Sequence, residues 1–215
     1  MRKSGGGLNG NDQAMKLAPD EDLMLEVRNG SGETLGVLFD RYHSPLFNFY
    51  AKLTGDRTLS DDLVQEVFLR ILKYRLSYEP GTPFRAWIYQ IARNARVDHY
   101  RKTPRHITFE PEMVAPVMPK DSAQQTEQTE LLHRALMQMP EEKREILILS
   151  RFQELKYEEI AQLLGCELGT VKTRIHRAIQ ELRQVFKQLE RGLAPREAGP
   201  AVVKTILPRR AGNEM

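Results

Sequence analysis

The sequence predicts an all-α chain of two small helical domains joined by an extended linker, and three observations carry that prediction. Apolar residues recur at three-to-four-residue spacing through most of residues 19–102 and again over 127–188, which is the period of an amphipathic helix. Hydrophobic residues make up 40% and aromatics 7% of the 215 residues, enough for small helical cores but thin for a large sheet. Between the two periodic stretches, Pro104, Pro111, Pro116 and Pro119 punctuate a segment with no sustained periodicity, which reads as a linker over 104–126.

Taken in order, residues 1–18 are rich in Gly and Asn and read as a disordered arm. Asp20, Glu21 and Asp22 then suit the positive end of a helix carrying Leu23, Leu25 and Val27, which Asn29-Gly30-Ser31-Gly32 breaks. A longer helix follows through Leu35, Leu38, Phe39, Tyr42, Leu46, Phe49, Tyr50 and Leu53. Pro45 predicts a kink or break in it near Ser44, and Gly55 ends it. Thr58 or Ser60 is the expected cap of the next helix, with Leu63, Val64, Val67, Phe68, Ile71 and Leu72 as its buried face.

Thr82-Pro83 reads as an N-cap with proline at the first helical position, opening a helix to about Lys102. Phe84, Trp87, Ile88, Ile91 and Ala95 form its core face. A second stripe interleaves arginines with aromatics: Arg85, Tyr89, Arg93, Arg96 and Tyr100. Such a stripe suits single-stranded or distorted nucleic acid, because bases stack on rings while guanidinium groups hold the backbone. A solvated helix face with tyrosines at its edge fits the stripe equally well.

The second domain, over 127–190, resumes helical spacing at Leu131, Leu132, Ala135, Leu136 and Met139. Pro140 stops this run, which continues as Ile146, Leu147 and Leu149 to Phe152. Tyr157 to Arg183 has the plan of a helix-turn-helix. Ile160, Ala161, Leu163 and Leu164 stripe a short helix that Gly165 stops; Val171, Ile175, Ile179 and Leu182 stripe a second. Lys172, Thr173, Arg174, His176 and Arg177 stand between those apolar positions, where they can reach phosphates and base edges. The bland alternative is a pair of amphipathic helices with a solvated basic face. Residues 191–215, with Arg209-Arg210, read as a disordered basic tail.

Charge and cysteine usage narrow the function classes. The net charge of +3 only weakly favours a polyanion partner, but its distribution is uneven. Residues 127–167 are mainly acidic, whereas 168–191 carry Lys172, Arg174, Arg177, Arg183, Lys187 and Arg191 against Glu181 and Glu190. Cys166 is the only cysteine, which rules out an intramolecular disulfide framework and any cysteine-built metal cluster. No apolar run approaches the roughly 18 residues a membrane span needs, and the N-terminus lacks a signal-peptide core. The chain is expected to be cytoplasmic, without membrane insertion. Asp98-His99 and the cluster Asp61, Asp62 and Glu66 are the sole candidates for acid–base or metal chemistry. They lack a partner set, so no catalytic, metal or cofactor residues are expected.

Three motifs together resemble the sigma-70 family, and more closely its extracytoplasmic function (ECF) group, which keeps sigma regions 2 and 4. Residues 61–69, DDLVQEVFL, are similar to region 2.2. Residues 84–94, FRAWIYQIARN, are similar to regions 2.3 and 2.4, and residues 169–178, GTVKTRIHRA, are similar to the region 4.2 reading helix. The resemblance implies a promoter-specificity subunit of RNA polymerase. Asp61, Asp62, Gln65, Glu66 and Leu69 would dock on core polymerase. Tyr78, Arg85, Tyr89, Arg93, Asn94 and Arg96 would bind and melt the −10 element. Thr170, Lys172, Thr173, Arg174, His176 and Arg177 would read the −35 element. It also implies an anti-sigma factor as partner.

The linker reaches at most roughly 75–80 Å, more than the roughly 58 Å of 17 base pairs, so one monomer could hold both promoter elements. The competing reading is a helix-turn-helix regulator that binds duplex operator DNA as a dimer, without polymerase.

Overall fold

The computed structural model describes residues 15–102 and 123–192, and every regular element among them is helical. Residues 15–17, placed by the sequence in a disordered arm, are already in a helical turn. The rest of that arm, most of the predicted linker and the tail beyond Gly192 lie outside the described residues.

The first unit is built from four helices: α1 (Asp20–Arg28), α2 (Gly32–Thr54), α3 (Arg57–Tyr74) and α4 (Phe84–Lys102), with a short 3₁₀ turn at Arg75–Ser77. Helix α2 starts at Ser31, whose hydroxyl accepts from the Thr34 N–H, and stops at Gly55 in the left-handed conformation (φ 77°). Contrary to expectation it runs unbroken through Pro45. Proline removes one intrahelical bond, but Leu38, Tyr42, Leu46, Phe49, Tyr50 and Leu53 bury a continuous face across it. At roughly 1.5–3 kcal/mol per fully buried large apolar side chain, that face outweighs the loss.

Two further expectations are corrected at α3. Its cap is Asp56, whose carboxylate accepts from the Leu59 N–H at 2.9 Å, and not Thr58 or Ser60. Leu72 is not core: it is 40% exposed. Helix α4 begins one residue later than predicted. Pro83 takes the cap position, where its carbonyl accepts the first helical bond from Trp87. Proline has no side-chain cap, and the Glu21 carboxylate of α1 supplies one by accepting from the Phe84 N–H at 3.0 Å.

The second unit comprises α5 (Ala123–Met137), α6 (Glu141–Leu147) with a π turn at Ile148–Phe152, α7 (Tyr157–Leu164) and α8 (Leu168–Glu190). Helix α5 starts four residues inside the predicted linker. Gly165 closes α7 in the left-handed conformation (φ 60°), and the Cys166 N–H returns to the Ala161 carbonyl at 3.0 Å. Helix α8 opens at Glu167 without a side-chain cap.

The two units are packed together. Helix α4 contacts α7, and α2 contacts α5, α6 and the π turn, so the buried apolar residues form one continuous cluster.

Candidate nucleic-acid and protein interfaces

Helix α8 keeps its apolar and basic residues on separate faces. Val171, Ile175 and Ala178 are buried against the unit, with Ile179 and Leu182 packed at the edge. Lys172, Thr173, Arg174, His176 and Arg177 are all exposed, and Thr170 is half-buried. The Thr173 hydroxyl donates back to the Gly169 carbonyl at 3.0 Å, so it is committed within the helix. What remains is four cationic or imidazole side chains on one solvent face over two turns. That is the geometry of a helix able to enter a major groove.

The arginine–aromatic stripe of α4 behaves differently. Asn94 is exposed, paired only with Gln90 on the same helix. Every other member of the predicted set is engaged. Tyr78 is fully buried; its ring meets Phe84 and Trp87 edge-on and its hydroxyl donates to the Thr82 carbonyl. Burial, with nearby Glu21, Asp20 and Asp22, pushes its hydroxyl up to about 12. Tyr78 is therefore a core residue, not a ring that a base could stack on. Tyr78 was expected at the site only from the family resemblance; it lies in the loop after the 3₁₀ turn, where helical periodicity could not have shown that it is buried.

Arg85, Tyr89, Arg93 and Arg96 face the second unit. Arg85 donates to the Gln153 carbonyl and Tyr89 to the Gln153 side chain. Arg93 forks onto Glu145 through Nε (2.9 Å) and Nη2 (3.3 Å), while its Nη1 reaches the Leu163 carbonyl at 3.0 Å. Arg96 pairs with Glu141 and approaches Glu145 at 3.9 Å. Burial lowers the proton affinity of Arg96, but Glu145 and Glu141 more than reverse this, so its pKa is raised. Tyr89 is raised by burial, against the nearby Arg85. The expectation of a free stripe is thus corrected: the units meet across it. Trp87, half-buried against the core, matches its placement on the apolar face.

The loop of residues 76–82, between the 3₁₀ turn and α4, is tied to α1 on both sides. Arg28 donates to the Tyr78 carbonyl at 2.9 Å, and Glu21 caps α4 just beyond Thr82. Neither residue belongs to the candidate set read from sequence. Only the acidic start of α1 hinted at them, and it was explained by that helix's own dipole.

The third candidate group lies on α3. Asp61, Asp62 and Gln65 are exposed, and Leu69 is 62% exposed. Because α3 starts at Arg57, Asp61 and Asp62 fall beyond its first turn, where the helix dipole has faded. Glu66 is partly committed: it pairs with Arg70 at 2.6 Å, and Arg70 also holds Asp98 at 2.8 Å, joining α3 to α4. Leu72 at 40% and Leu76 at 68% extend the exposed apolar ridge from Leu69. Their spacing of three and four was visible in the sequence, but Leu72 had been assigned to the core. Among the described residues no group of His, Cys, Asp and Glu side chains could hold a metal ion, and no helix is long and apolar enough to cross a membrane.

Comparison with known proteins follows this layout. Residues 38–106 match the model of Sigma-70 region 2, and residues 129–182 match that of Sigma-70, region 4. The chain is 33% identical over 175 residues to the RNA polymerase sigma factor CarQ of Myxococcus xanthus, across 78% of this chain and 97% of that protein. It is 27% identical to the ECF RNA polymerase sigma factor SigW of Bacillus subtilis, across 76% of this chain and 95% of that protein. Among solved structures it resembles CnrH bound to the cytosolic domain of CnrY, with a TM-score of 0.61 and 23% identity over 78% of this chain and 97% of that one. It also resembles RpoE of Bartonella quintana bound to the anti-sigma factor NepR, with a TM-score of 0.60 and 25% identity over 69% of this chain and 94% of that one. The operator-binding alternative has no support in these likenesses. Two helical units that match regions 2 and 4 in order, with an exposed basic helix in the second, place the chain in the sigma-70 family: it is an RNA polymerase sigma factor of the ECF group.

Proposed function

We propose that the chain binds core RNA polymerase and directs it to promoters through two separate DNA contacts. The functional units are residues 19–103 and the helical unit that ends near 190. Helix α8 reads the duplex −35 element with Lys172, Arg174, His176 and Arg177, some forked onto guanine and others onto phosphate. The observation that carries this reading is the solvent exposure of all four side chains on a helix whose opposite face is buried. Arg85, Tyr89, Arg93, Asn94 and Arg96 hold the melted −10 strand. Unstacking costs a few kcal/mol, which contacts to the strand offset.

Asp61, Asp62, Gln65, Glu66 and Leu69 dock on core polymerase, with the ridge Leu69, Leu72 and Leu76 as the apolar centre of that contact. An interface centre of this kind is apolar with a charged rim. The chain performs no catalysis of its own, takes no cofactor and acts in the cytoplasm. By analogy with the partner-bound relatives, an anti-sigma factor controls it.

The test is to mix the purified chain with core polymerase and a promoter library and to sequence the transcript starts. Initiation from a shared bipartite motif is the expected result. An active core that gains no start sites would overturn the reading.

A further inference from the structure

Helix α8 carries more basic surface than one groove can hold. Lys172, His176, Gln180, Arg183, Lys187 and Arg191 follow one another at spacings of four, four, three, four and four, and all six are exposed. That spacing keeps them on one face of the helix, over about 28 Å of its length. The major groove is about 12 Å wide, and the reading residues Lys172 to Arg177 occupy only about 8 Å of the helix. Arg183, Lys187 and Arg191 therefore lie beyond the reading residues while sharing their face.

Three features match this far half to phosphate. First, its cations are not spent on the fold. Arg70 is held by Glu66 and Asp98, Arg93 by Glu145, and Arg144 by backbone carbonyls. Arg183, Lys187 and Arg191 pair with no carboxylate among the described residues; Glu181 beside them is held by Lys143 of α6. Second, the helix dipole accounts for cations in the last turn, Lys187 and Arg191, but not for Arg183, seven residues before the end at Glu190. Third, the stripe has no apolar centre. Leu182, Val185, Phe186 and Leu189 are half-buried on the opposite side of the helix. A protein partner calls for an apolar centre with a charged rim, whereas a row of cations with nothing apolar among them suits a nucleic-acid backbone.

We infer that Arg183, Lys187 and Arg191 form a phosphate-binding rail that grips the duplex backbone just outside the −35 element, adding affinity without reading bases. The inference rests on the reading of α8 as the −35 helix.

The holoenzyme tests this on a duplex promoter recovered from the library, with affinity measured by fluorescence anisotropy between about 50 and 200 mM salt. Each lost phosphate contact removes roughly 0.9 from the slope of log affinity against log salt. Arg183→Gln/Lys187→Gln should make that slope shallower by about 1.8, so that its deficit against wild type shrinks roughly tenfold from the low salt to the high. Ethylation of phosphates flanking the −35 element should hinder wild type and not this variant. Arg183→Lys/Lys187→Arg keeps both charges and should keep the wild-type slope. Gln180→Lys fills the gap in the row and should tighten binding and steepen the slope by about 0.9. A misfolded chain cannot produce that gain, so this arm decides the matter if the glutamine variant unfolds.

An unchanged slope in Arg183→Gln/Lys187→Gln overturns the inference, as does an unchanged slope in Gln180→Lys. So does a loss that appears in comigration with core polymerase instead, which would make the stripe a protein contact. Changing the −35 bases separates the rail from the reading beneath it. If wild type is indifferent to those bases, α8 is not the −35 reader. If wild type is sensitive to them and the glutamine variant keeps the wild-type slope, only the rail has failed.

Discussion

Two arginine-bearing helices, α8 and α4, were read from sequence by the same reasoning, yet the structure treats them in opposite ways. On α8 the basic side chains point to water and the apolar ones to the core. On α4 Tyr89 is fully buried, Arg96 is 7% exposed, and Arg85 and Arg93 are bonded to the neighbouring unit. The difference lies in what each helix packs against. Helix α8 rests with one face on α5, α6 and α7 and leaves the other face open, whereas α4 is held by α3 on one side and α7 on the other. An exposed arginine is energetically idle until a ligand arrives. A covered one already contributes to the fold, and its ligand must displace something.

The comparison can be broken most forcefully on α8. Arg174→Ala/Arg177→Ala should weaken −35-dependent initiation by about 2–4 kcal/mol, roughly 30- to 1000-fold, since one forked base contact is worth about 1–3 kcal/mol. Gel-filtration comigration with core polymerase should not change. Equal loss of both properties would mean the helix is not a dedicated DNA reader.

Next in size is Arg144, which has no counterpart on α8. It donates to the carbonyls of Leu53, Met137 and Met139, and burial lowers its pKa. Arg144→Met should cost about 2–4 kcal/mol in urea denaturation, because buried carbonyls lose their donor. Arg174→Met, at an exposed position, should stay within about 0.5 kcal/mol. Similar losses at the two sites would erase the distinction between a structural arginine and a free one.

A smaller effect is expected from Glu21→Ala, which uncaps α4. The loss of a helix cap costs about 1 kcal/mol. Because the same contact holds the 76–82 loop, opening of a duplex −10 element should slow more than binding to a pre-melted fork; permanganate footprinting separates the two.

The smallest effect concerns pH. His133 on α5 bonds to the Ala51 backbone across the units, and its pKa is lowered by burial and then by Lys52 and Arg144, against the raising effect of that bond. A depressed pKa means the folded, closed state prefers the neutral ring. That contribution is present above the ordinary histidine value of 6.5 and is lost as pH falls below it. Thermal stability of the free chain should decline modestly between about pH 6.5 and 5, and His133→Gln should flatten the slope.

Sequence alone determined most of the framework, because the signals involved are local. Helical periodicity, Gly55 and Gly165 as left-handed stops, and the separation of Val171, Ile175 and Ala178 from Lys172, Arg174 and Arg177 all follow from spacing along one helix. Motif order then fixed the family. Caps supplied from elsewhere were not legible. Pro83 required Glu21, more than sixty residues away, and the true cap of α3 was Asp56, hidden behind better-looking hydroxyls.

Nor could spacing reveal which polar stripe is covered. An amphipathic pattern states which residues avoid water within a helix, but not whether a second unit will sit on its polar face. That depends on where Glu141, Glu145 and Gln153 arrive in space. Tertiary structure alone decided that the basic face of α8 is open while that of α4 is closed, because pairing across units is set by geometry between distant segments and leaves no local trace in the chain.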